Sequence, residues 1–541
     1  MMKNIKFWLL SLFSGLLLAI SWPEIVDFTS LIFLAFVPLL VVEDQLAKTK
    51  EKPGSAVFSY AYLSFFIFNL ISTWWIYFAS DWGAAAAIIC NSFFMATVFW
   101  LFHQTKQKVG RKEGYIGLLI YWLAFEYLHL NWDLSWPWLT LGNVFANEPD
   151  NVQWYEYTGI LGGSLWVLVA NLAFFSFVGK LQLSRTKAII GALVWLLWVF
   201  VPSFFSESVY STYKAEGKEL EVVIIQPNID PYLDKFGGMS ESDQIDRMVT
   251  LAKQEVGPET DLLVLPETAF PSFYWEHNVE HLYGTVELRK LIKQNPQLRV
   301  VVGLTSRALI LDEDKVTPTA RKLDGGIGYY DNYNAAMQLD ETPHIPFHRK
   351  SKLVLGVEKL PFLEYLPFMK KLSINLGGSA GGYGWQDHPS VFFNQDSAQG
   401  LGPIICYESI YGEYVNQYAR SGAELYAIIT NDGWWEDTPG YKQHLAYARL
   451  RAIEGRRSIV RSANTGISAI INQKGEIVSE TKWWEQAALK GKVSLNDRLT
   501  FYVKYGNYLG RIASFVAPLL LLLTLVKRLN KTGQRLSLKK P

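Results

Sequence analysis

Residues 402–432 read GPIICYESIYGEYVNQYARSGAELYAIITND, and their pattern indicates the architecture of the second half of the chain. One apolar run ends at Cys406, an amphipathic segment covers 409–421, and a second apolar run ends at Asn431 and Asp432. Continuously apolar runs on either side of an amphipathic helix are typical of parallel strands that are buried on both faces. The segment therefore predicts a strand, a helix and a strand in an α/β domain.

The same alternation begins at Glu219 and continues through the second half of the chain. Further strands are predicted in LEVVIIQPN, DLLVLPE and LRVVVGLTS, and helices are predicted at 240–255 and 285–294. A glycine-rich run at 376–385, LGGSAGGYGW, is interpreted either as a flexible connector or as a mobile lid. These patterns together predict an α/β domain whose sheet is covered by helices.

The composition of the whole chain indicates a membrane protein with more than one domain. Of its 541 residues, 50% are hydrophobic and only 19% are charged, and the net charge of +1 gives no indication of a nucleic-acid partner. An apolar run of about 20 residues matches the hydrocarbon core of a bilayer. Eight membrane spans are predicted, at 5–21, 28–43, 56–79, 84–104, 115–130, 160–180, 187–204 and 508–527.

Lysine and arginine are distributed unevenly among the loops between these spans. Both termini and the loops after the second, fourth and sixth spans are basic, whereas the loops after the third and fifth spans contain neither residue type. By the positive-inside rule, both termini are expected in the cytoplasm, which requires an even number of spans. The sequence therefore predicts a seven-span domain at 1–205, an extracytoplasmic domain at 206–500, and an eighth span with a basic cytoplasmic tail at 501–541.

The loop after the fifth predicted span is rich in tryptophan. It contains NWDLSWPWLTLGN at 131–143, and a further tryptophan follows at Trp154. Because tryptophan prefers the boundary between membrane and water, an aromatic belt is the favoured interpretation. The alternative is a lipid-facing mouth beside the extramembrane domain.

Three reactive side chains lie at or near the ends of predicted strands. Glu267 follows DLLVLP, Cys406 follows PII, and Lys350 belongs to the basic run HRKSK. Open α/β sheets bind ligands at the carboxyl ends of their strands. Each residue alone also has an ordinary interpretation, as a surface acid, a buried inert thiol or a solvated lysine. Cys90, the only other cysteine, lies in a predicted membrane helix, so a disulfide is not expected.

A carboxylate, a lysine and a cysteine form a chemically coherent set. The carboxylate can take the proton of the thiol, and the lysine can stabilise a thiolate and later an oxyanion. The helix after Cys406 would favour an anion at its first turn, and the main-chain N–H of Tyr407 would be a second oxyanion donor. We therefore expect the Cys406 thiol to be ionised by its neighbours. No HExxH, paired CxxC, GxGxxG or P-loop signature occurs, so neither a metal nor a cofactor is expected.

The order of four motifs adds a resemblance to a known family. LLVLPETAF, FHRKSK, PIICYES and TNDGWW follow one another as in the nitrilase superfamily, whose members use a Glu–Lys–Cys triad on an α-β-β-α sandwich. Together with eight membrane spans, and with NDGWWEDTPGYKQHLAYARLRAIEGRRSIVRSANTGISAII at 431–471, the chain resembles the apolipoprotein N-acyltransferase family. The resemblance implies an α-helical membrane domain fused to a nitrilase-like sandwich.

This resemblance assigns a role to each residue of the triad. It implies that Glu267 is the general base, Lys350 the oxyanion partner and Cys406 the nucleophile. Lys352 is the competing lysine, but Lys350 keeps the family's distance of eight residues to Glu358.

Three further residues match supporting positions of the family. Glu358 matches a second glutamate that orients the lysine, and Tyr407 and Glu408 match the positions after the nucleophile. Between the lysine and the second glutamate this chain has LVLGVE where the family often has LVPFGE, so the spacing is kept but the loop residues differ.

The resemblance further implies a two-step, ping-pong acyl transfer. Cys406 would take an acyl chain from a membrane phospholipid such as phosphatidylethanolamine, and the α-amine of an N-terminal diacylglyceryl-cysteine on a lipoprotein would accept it. A monomer in the bacterial inner membrane, with the catalytic domain on the periplasmic side, is expected. Two other interpretations stay open: a membrane-tethered amidase that acts on a small amide, and a lipid-binding or transport protein without enzymatic activity.

Overall fold

The computed structural model describes residues 2–49, 53–181, 184–359, 361–362, 382–394 and 399–537. The chain divides into two compact units. The first, here called the helical unit, comprises 1–77, 81–211 and 505–541, and the second, called the α/β unit, comprises 78–80 and 212–504. Most of the glycine-rich run interpreted as a connector or lid, 376–381, lies outside the described residues.

The helical unit contains long apolar helices and two helices of four residues, Ile76–Ala79 and Tyr155–Thr158. Its α-helices are α1 (Met2–Ile20), α2 (Val37–Thr49), α3 (Gly54–Thr73), α4 (Ile76–Ala79), α5 (Asp81–Lys108), α6 (Arg111–His129), α7 (Tyr155–Thr158), α8 (Ile160–Leu181), α9 (Arg185–Thr212) and, near the carboxyl terminus, α15 (Tyr508–Ser537).

Six stretches in the described part of the chain are helical, long and apolar enough to cross a membrane. They are 29–49, 54–73, 81–108, 160–179, 185–212 and 508–530. The predicted count of eight is therefore not confirmed, although helices also occur at the two other predicted positions. The apolar part of α1 covers only Ile5–Ile20. Helix α6 has three charged residues in its first turn, Arg111, Lys112 and Glu113, which lower its hydropathy.

The tryptophan-rich loop is packed more deeply than an aromatic belt requires. Trp138 is buried within the helical unit, where its ring lies 4.9 Å from that of Trp75 and 5.6 Å from that of Trp136. Trp132 donates a hydrogen bond from its indole nitrogen to Nδ1 of His129 at 2.9 Å. These side chains are therefore held by protein contacts, and the belt interpretation fails for Trp138.

In the described part of the chain, the α/β unit contains two sheets and five α-helices. One sheet has the order β14-β1-β2-β4-β6-β5, with β3 paired to β4 and β7 to β6, and the other has the order β13-β12-β11-β10-β9-β8. The strands are β1 (Glu219–Gln226), β2 (Thr260–Val264), β3 (Phe270–Trp275), β4 (Arg299–Ile310), β5 (Arg321–Lys322), β6 (Tyr329–Leu339), β7 (Phe347–Arg349), β8 (Phe392–Phe393), β9 (Gly400–Ile405), β10 (Ala423–Thr430), β11 (Ser458–Ala463), β12 (Ala469–Ile471), β13 (Ile477–Glu480) and β14 (Ala487–Ser494). The helices are α10 (Glu241–Glu255), α11 (Tyr283–Gln294), α12 (Gly412–Arg420), α13 (Pro439–Gly455) and α14 (Phe501–Tyr505).

The structure of strand β1 explains why its central run, 222–225, is apolar. Side chains alternate between the two faces of a strand, and both faces of β1 are buried. Val222 and Ile224 pack against residues of the second sheet, such as Ile429, whereas Val223 and Ile225 belong to the cluster that includes the apolar faces of α10 and α11. Because α12 and α13 contact the second sheet, the layers are helix, sheet, sheet and helix. The predicted α/β fold is confirmed.

The parallel strands of each sheet bring polar residues to their carboxyl ends. Strands β1, β2 and β4 are parallel in the first sheet, and β9, β10 and β11 are parallel in the second. Strand β2 ends three residues before Glu267, β9 ends directly before Cys406, and β10 ends directly before Asn431. The site described below lies where these strands end.

Candidate active site

Cys406 is positioned by an abrupt change of backbone direction. It follows β9, begins a 3-10 turn that covers Cys406–Ile410, and has a φ of 50°, which is uncommon for a residue other than glycine. Its side chain is partly buried, and the next residue, Tyr407, is buried in the same turn. Such a turn presents the side chain at the end of the strand, as a nucleophile requires.

The environment of the thiol favours its protonated form. Burial raises the pKa of the Cys406 thiol above its ordinary value, and the negative charge of Glu267 raises it further, while the positive charge of Lys350 opposes the shift. The expectation of an ionised thiol is therefore wrong, because desolvation and a carboxylate both disfavour a second negative charge. A reaction at this sulfur needs a base that takes the proton during attack.

Lys350 lies between two carboxylates. Its Nζ donates to Oε1 of Glu267 at 3.1 Å and to Oε1 of Glu358 at 2.9 Å, and all three side chains are buried. Burial lowers the pKa of Lys350, but the two carboxylates more than reverse this effect, so the pKa lies well above its ordinary value. The lysine is therefore a permanent positive charge that can stabilise an oxyanion.

The loop between Lys350 and Glu358 is held by hydrogen bonds between its own residues, although its sequence differs from the one that the family often has. Oε2 of Glu358 accepts a hydrogen bond from the main-chain N–H of Val354 at 2.8 Å, and the N–H of Glu358 donates to the carbonyl of Val354 at 2.9 Å. Gly356 has a φ of 81°, which allows the chain to turn inside LVLGVE. This loop therefore fixes Oε2 of Glu358, while Lys350 contacts Oε1.

Lys352, the competing lysine, occupies different surroundings. Its Nζ lies over the rings of Tyr411 and Tyr414, at 5.2 and 5.7 Å from their centroids. Burial lowers its pKa. Of the two lysines, Lys350 is the one that the structure brings to Glu267 and Glu358.

Glu408 joins the segments that carry the lysine and the cysteine. Its carboxylate accepts from the N–H of Ser351 at 2.6 Å and from the N–H of Ile405 at 2.8 Å. It also contacts Nε2 of His348 at 3.1 Å and accepts from the hydroxyl of Tyr414 at 3.0 Å. Burial raises the pKa of Glu408, but these donors outweigh it and the pKa is lowered. Glu408 is a structural anion beside the site.

Asn334 is a site residue that the sequence did not indicate. It lies within β6, and its Nδ2 donates to Oε1 of Glu267 at 2.7 Å and to Oε1 of Glu358 at 2.9 Å. Its carbonyl accepts from the N–H of Lys350 at 2.8 Å. Asn334 therefore fixes both carboxylates and the lysine backbone.

The change Asn334→Asp is expected to destabilise the protein more than Asn334→Ala. Aspartate keeps the shape of the side chain, but it replaces a shared donor with a third negative charge beside Glu267 and Glu358. A buried group left without its partner costs about 1–3 kcal/mol, and more when it is charged. Thermal unfolding in detergent at mildly alkaline pH measures the difference. If the aspartate variant is as stable as the alanine variant, this account of Asn334 is wrong.

Lys235 is a second residue that the sequence did not indicate. It lies in the loop after β1, is buried, and donates from Nζ to the main-chain carbonyl of Glu267 at 3.1 Å. Burial lowers the pKa of Lys235 to about 7, against the opposing charge of Glu267. The amine therefore holds the main chain at Glu267.

We expect the stability of the wild-type protein, relative to a Lys235→Met variant, to rise with pH. Below a pH of about 7 both the folded and the unfolded lysine are protonated, and the folded state bears the full cost of the buried charge. Between about 7 and the ordinary value of 10.5 the unfolded state binds the additional proton, so folding is increasingly favoured. The relative gain is on the order of a few kcal/mol.

Thermal unfolding of both proteins across this pH range checks this prediction. Lys253→Met is the matched control, because the side chain of Lys253 is 53% exposed and its charge is solvated. The prediction is contradicted if the stability difference between the wild type and Lys235→Met changes with pH no more than the difference between the wild type and Lys253→Met.

The polar residues after β10 belong to a neighbouring network. Oδ1 of Asn431 accepts from Asn464 at 3.2 Å and from the hydroxyl of Thr465 at 3.0 Å. Asp432 is buried against Arg461, with 2.5 Å between Nη2 and Oδ2. Burial raises the pKa of Asp432, but Arg461 and a nearby histidine lower it well below its ordinary value. These residues are structural anchors next to Cys406.

Taken together, the site contains a thiol, a carboxylate and a fixed cation. Cys406 supplies the thiol, Glu267 the carboxylate that can take its proton, and Lys350 the positive charge for an oxyanion. This set suits nucleophilic attack on a carbonyl carbon with formation of a covalent thioester. The fold and the site thus define an acyl-transferring or amide-hydrolysing domain of the nitrilase type.

Comparison with known proteins agrees with this class. Residues 224–498 match the family model for carbon-nitrogen hydrolases, and residues 14–173 match the model for the N-terminal domain of apolipoprotein N-acyltransferase. An apolipoprotein N-acyltransferase of Chlorobaculum tepidum is 30% identical over 531 residues, covering 96% of each chain. Another, from Geobacter metallireducens, is 27% identical and covers 92% of each chain.

The chain belongs to the apolipoprotein N-acyltransferase family. The resemblance inferred from the sequence motifs is therefore confirmed. Among solved structures, an amidase from Nesterenkonia sp. matches 56% of this chain and 98% of its own, with 16% identity and a TM-score of 0.36.

Proposed function

We propose that this protein transfers an acyl chain from a membrane phospholipid, through a thioester on Cys406, to the α-amine of an N-terminal diacylglyceryl-cysteine on lipoproteins. The observation that carries the proposal is the match of nearly the whole chain, helical and α/β units alike, to enzymes named for this acceptor. The arrangement of Glu267, Lys350 and Cys406 supports the chemistry.

In the first half-reaction Glu267 acts as general base. It takes the thiol proton while the sulfur of Cys406 attacks the ester carbonyl of the phospholipid. The resulting oxyanion is stabilised by the ammonium of Lys350 and the main-chain N–H of Tyr407. When the intermediate collapses, the ester oxygen leaves with the proton from Glu267, and a lysophospholipid is released.

In the second half-reaction the same groups break the thioester that the first half-reaction formed. The α-amine of the lipoprotein attacks the thioester, and Glu267 takes a proton from the amine. The same two donors stabilise the second oxyanion. The sulfur then leaves and recovers its proton from Glu267, so that the thiol of Cys406 is restored and an amide is formed. Glu358 holds the lysine and Asn334 holds the base, Glu267, in place throughout.

The proposed location follows from the distribution of charge in the sequence. The protein would lie in the bacterial inner membrane as a monomer, with both termini in the cytoplasm and the α/β unit in the periplasm. Phospholipid and lipoprotein both carry their head groups at this membrane face. The helical unit would hold the acyl chains, because its candidate spans provide an apolar surface.

The proposal is tested with purified protein, a phospholipid labelled in its acyl chain and a diacylglyceryl-cysteine peptide. We expect a hydroxylamine-sensitive label on the protein without the peptide, and a labelled amide on the peptide when it is added. Release of free fatty acid alone, with the peptide unmodified, would favour hydrolysis with water as acceptor and would refute the transfer. Lack of any covalent label would refute the mechanism.

A further inference from the structure

The conformation of Cys406 raises the question of what maintains it. A φ of 50° at a residue with a side chain costs about 1–3 kcal/mol and persists only when neighbouring groups hold it. The strand before it holds one side, since β9 is paired with β10 up to Ile405. The other side depends on contacts made by its own carbonyl.

Two side chains converge on that carbonyl. The hydroxyl of Ser409 donates to the oxygen of Cys406 at 2.8 Å, and Nε2 of His444 lies 3.3 Å from the same oxygen. Nε2 of His444 is also 2.9 Å from the hydroxyl oxygen of Ser409. Since the carbonyl only accepts, Nε2 acts on it as a donor in the form of the imidazole that carries a proton on both nitrogens, because Nδ1 faces the acceptor Oδ1 of Asp432.

The imidazole of His444 is also held through its other ring nitrogen, Nδ1. It lies on α13, is buried, and its Nδ1 lies 2.9 Å from Oδ1 of Asp432. Asp432 is held in turn by Arg461 and by the hydroxyl of Thr430, which donates to Oδ1 at 2.7 Å. The imidazole therefore has little freedom to turn away from Cys406.

The arrangement of Ser409, His444 and Asp432 is that of a serine hydrolase, but Ser409 is not a second nucleophile. All three side chains are buried, and the hydroxyl proton of Ser409 is given to the carbonyl of Cys406. Any effect of Ser409, His444 and Asp432 on the reaction must therefore come from their contact with the carbonyl of Cys406. A peptide group is planar and trans, so the carbonyl of Cys406 and the N–H of Tyr407 point in opposite directions.

We propose that His444 is a positioning residue for acyl transfer: with Ser409 it holds the Cys406 carbonyl and thereby aims the Tyr407 N–H at the oxyanion. This inference rests on the proposed function, in which that N–H stabilises both tetrahedral intermediates. Without the contacts from Ser409 and His444, the peptide group between Cys406 and Tyr407 can rotate. The oxyanion then loses the N–H of Tyr407, which is one of its two donors. The thiol itself stays on the turn at the end of β9.

The test compares His444→Met with His444→Gln. Glutamine places an amide N–H near the position of Nε2, whereas methionine fills similar space without a donor. We expect kcat of His444→Met to fall about 10–100-fold in both half-reactions with KM unchanged, because one oxyanion donor is misdirected. His444→Gln is expected to recover most of the loss, and Ser409→Ala combined with His444→Met should lose less than the product of the single effects.

Alkylation of Cys406 by iodoacetamide provides the second readout, because that reaction forms no oxyanion. His444→Met should alkylate within about threefold of the wild-type rate while its acyl transfer falls, since only the transfer needs the oxyanion donor. Equal losses in both reactions, or transfer at the wild-type rate, would overturn the inference. If the wild-type protein does not form the acyl adduct, both the proposed function and this inference are overturned. This outcome is observed with the wild-type protein alone, so it is distinguished from a failure of the inference only.

Discussion

Replacement of Cys406 by alanine is expected to abolish both the acyl adduct and the amide product. In a ping-pong transfer every acyl chain passes through this sulfur, and neighbouring groups cannot replace it. Removal of a catalytic nucleophile typically lowers kcat by about four to six orders of magnitude. The substitution removes only a sulfur atom from a partly buried site, so the fold should be retained.

The second cysteine of the chain offers a matched control for this prediction. Cys90 is exposed on α5 in the helical unit, and Cys90→Ala leaves Cys406 as the sole thiol. We expect Cys90→Ala to retain the hydroxylamine-sensitive label and the rate of amide formation. Label that persists on Cys406→Ala, measured by fluorography and mass spectrometry of the modified peptide, would remove the basis of the mechanism.

Replacement of Lys350 by methionine is expected to have the second largest effect, on both activity and stability. The ammonium of Lys350 is shared by the buried carboxylates of Glu267 and Glu358. Removing one partner of a buried ion pair leaves uncompensated charge and costs about 3–5 kcal/mol. Loss of the oxyanion partner should also lower kcat by about 100- to 1,000-fold.

Lys352→Met serves as the control, because Lys352 is only two residues away but contacts aromatic rings instead of carboxylates. We expect its loss of stability to stay within about 1–2 kcal/mol, the range of a cation–π contact. Thermal unfolding and the rate of adduct formation are compared for both variants. The assignment of the two lysines is wrong if Lys352→Met loses activity and Lys350→Met keeps it.

The main strands could be predicted because a strand that is buried on both faces has a continuous apolar run in its sequence. Strands β1, β2, β4, β9 and β10 were all predicted, since each contains a continuous apolar run. Strands β5, β7 and β8 have only two or three residues, which is too short for any periodicity. Strand β13 alternates between half-buried and exposed residues and carries no apolar run.

Apart from the residues that the family motifs supplied, the site was predictable where a reactive residue follows a strand. Glu267 and Cys406 have that position, but Asn334 lies inside β6 and is 67 positions away from Glu267, the carboxylate it contacts. Lys235 and His444 look like ordinary polar residues of a loop and a helix, because their burial depends on distant segments. The protonated state of the thiol was missed for the same reason, since desolvation is a property of the packed domain.

Glu408 has a consequence for how the two sheets can move. Lys350 follows β7 of the first sheet and Cys406 follows β9 of the second, yet one carboxylate accepts hydrogen bonds from the chain next to each of them, at Ser351 and Ile405. The chain segments that carry the cation and the sulfur are thus tied to each other by hydrogen bonds to a single carboxylate. A relative shift of the two sheets at this point would have to break one of these two hydrogen bonds to Glu408.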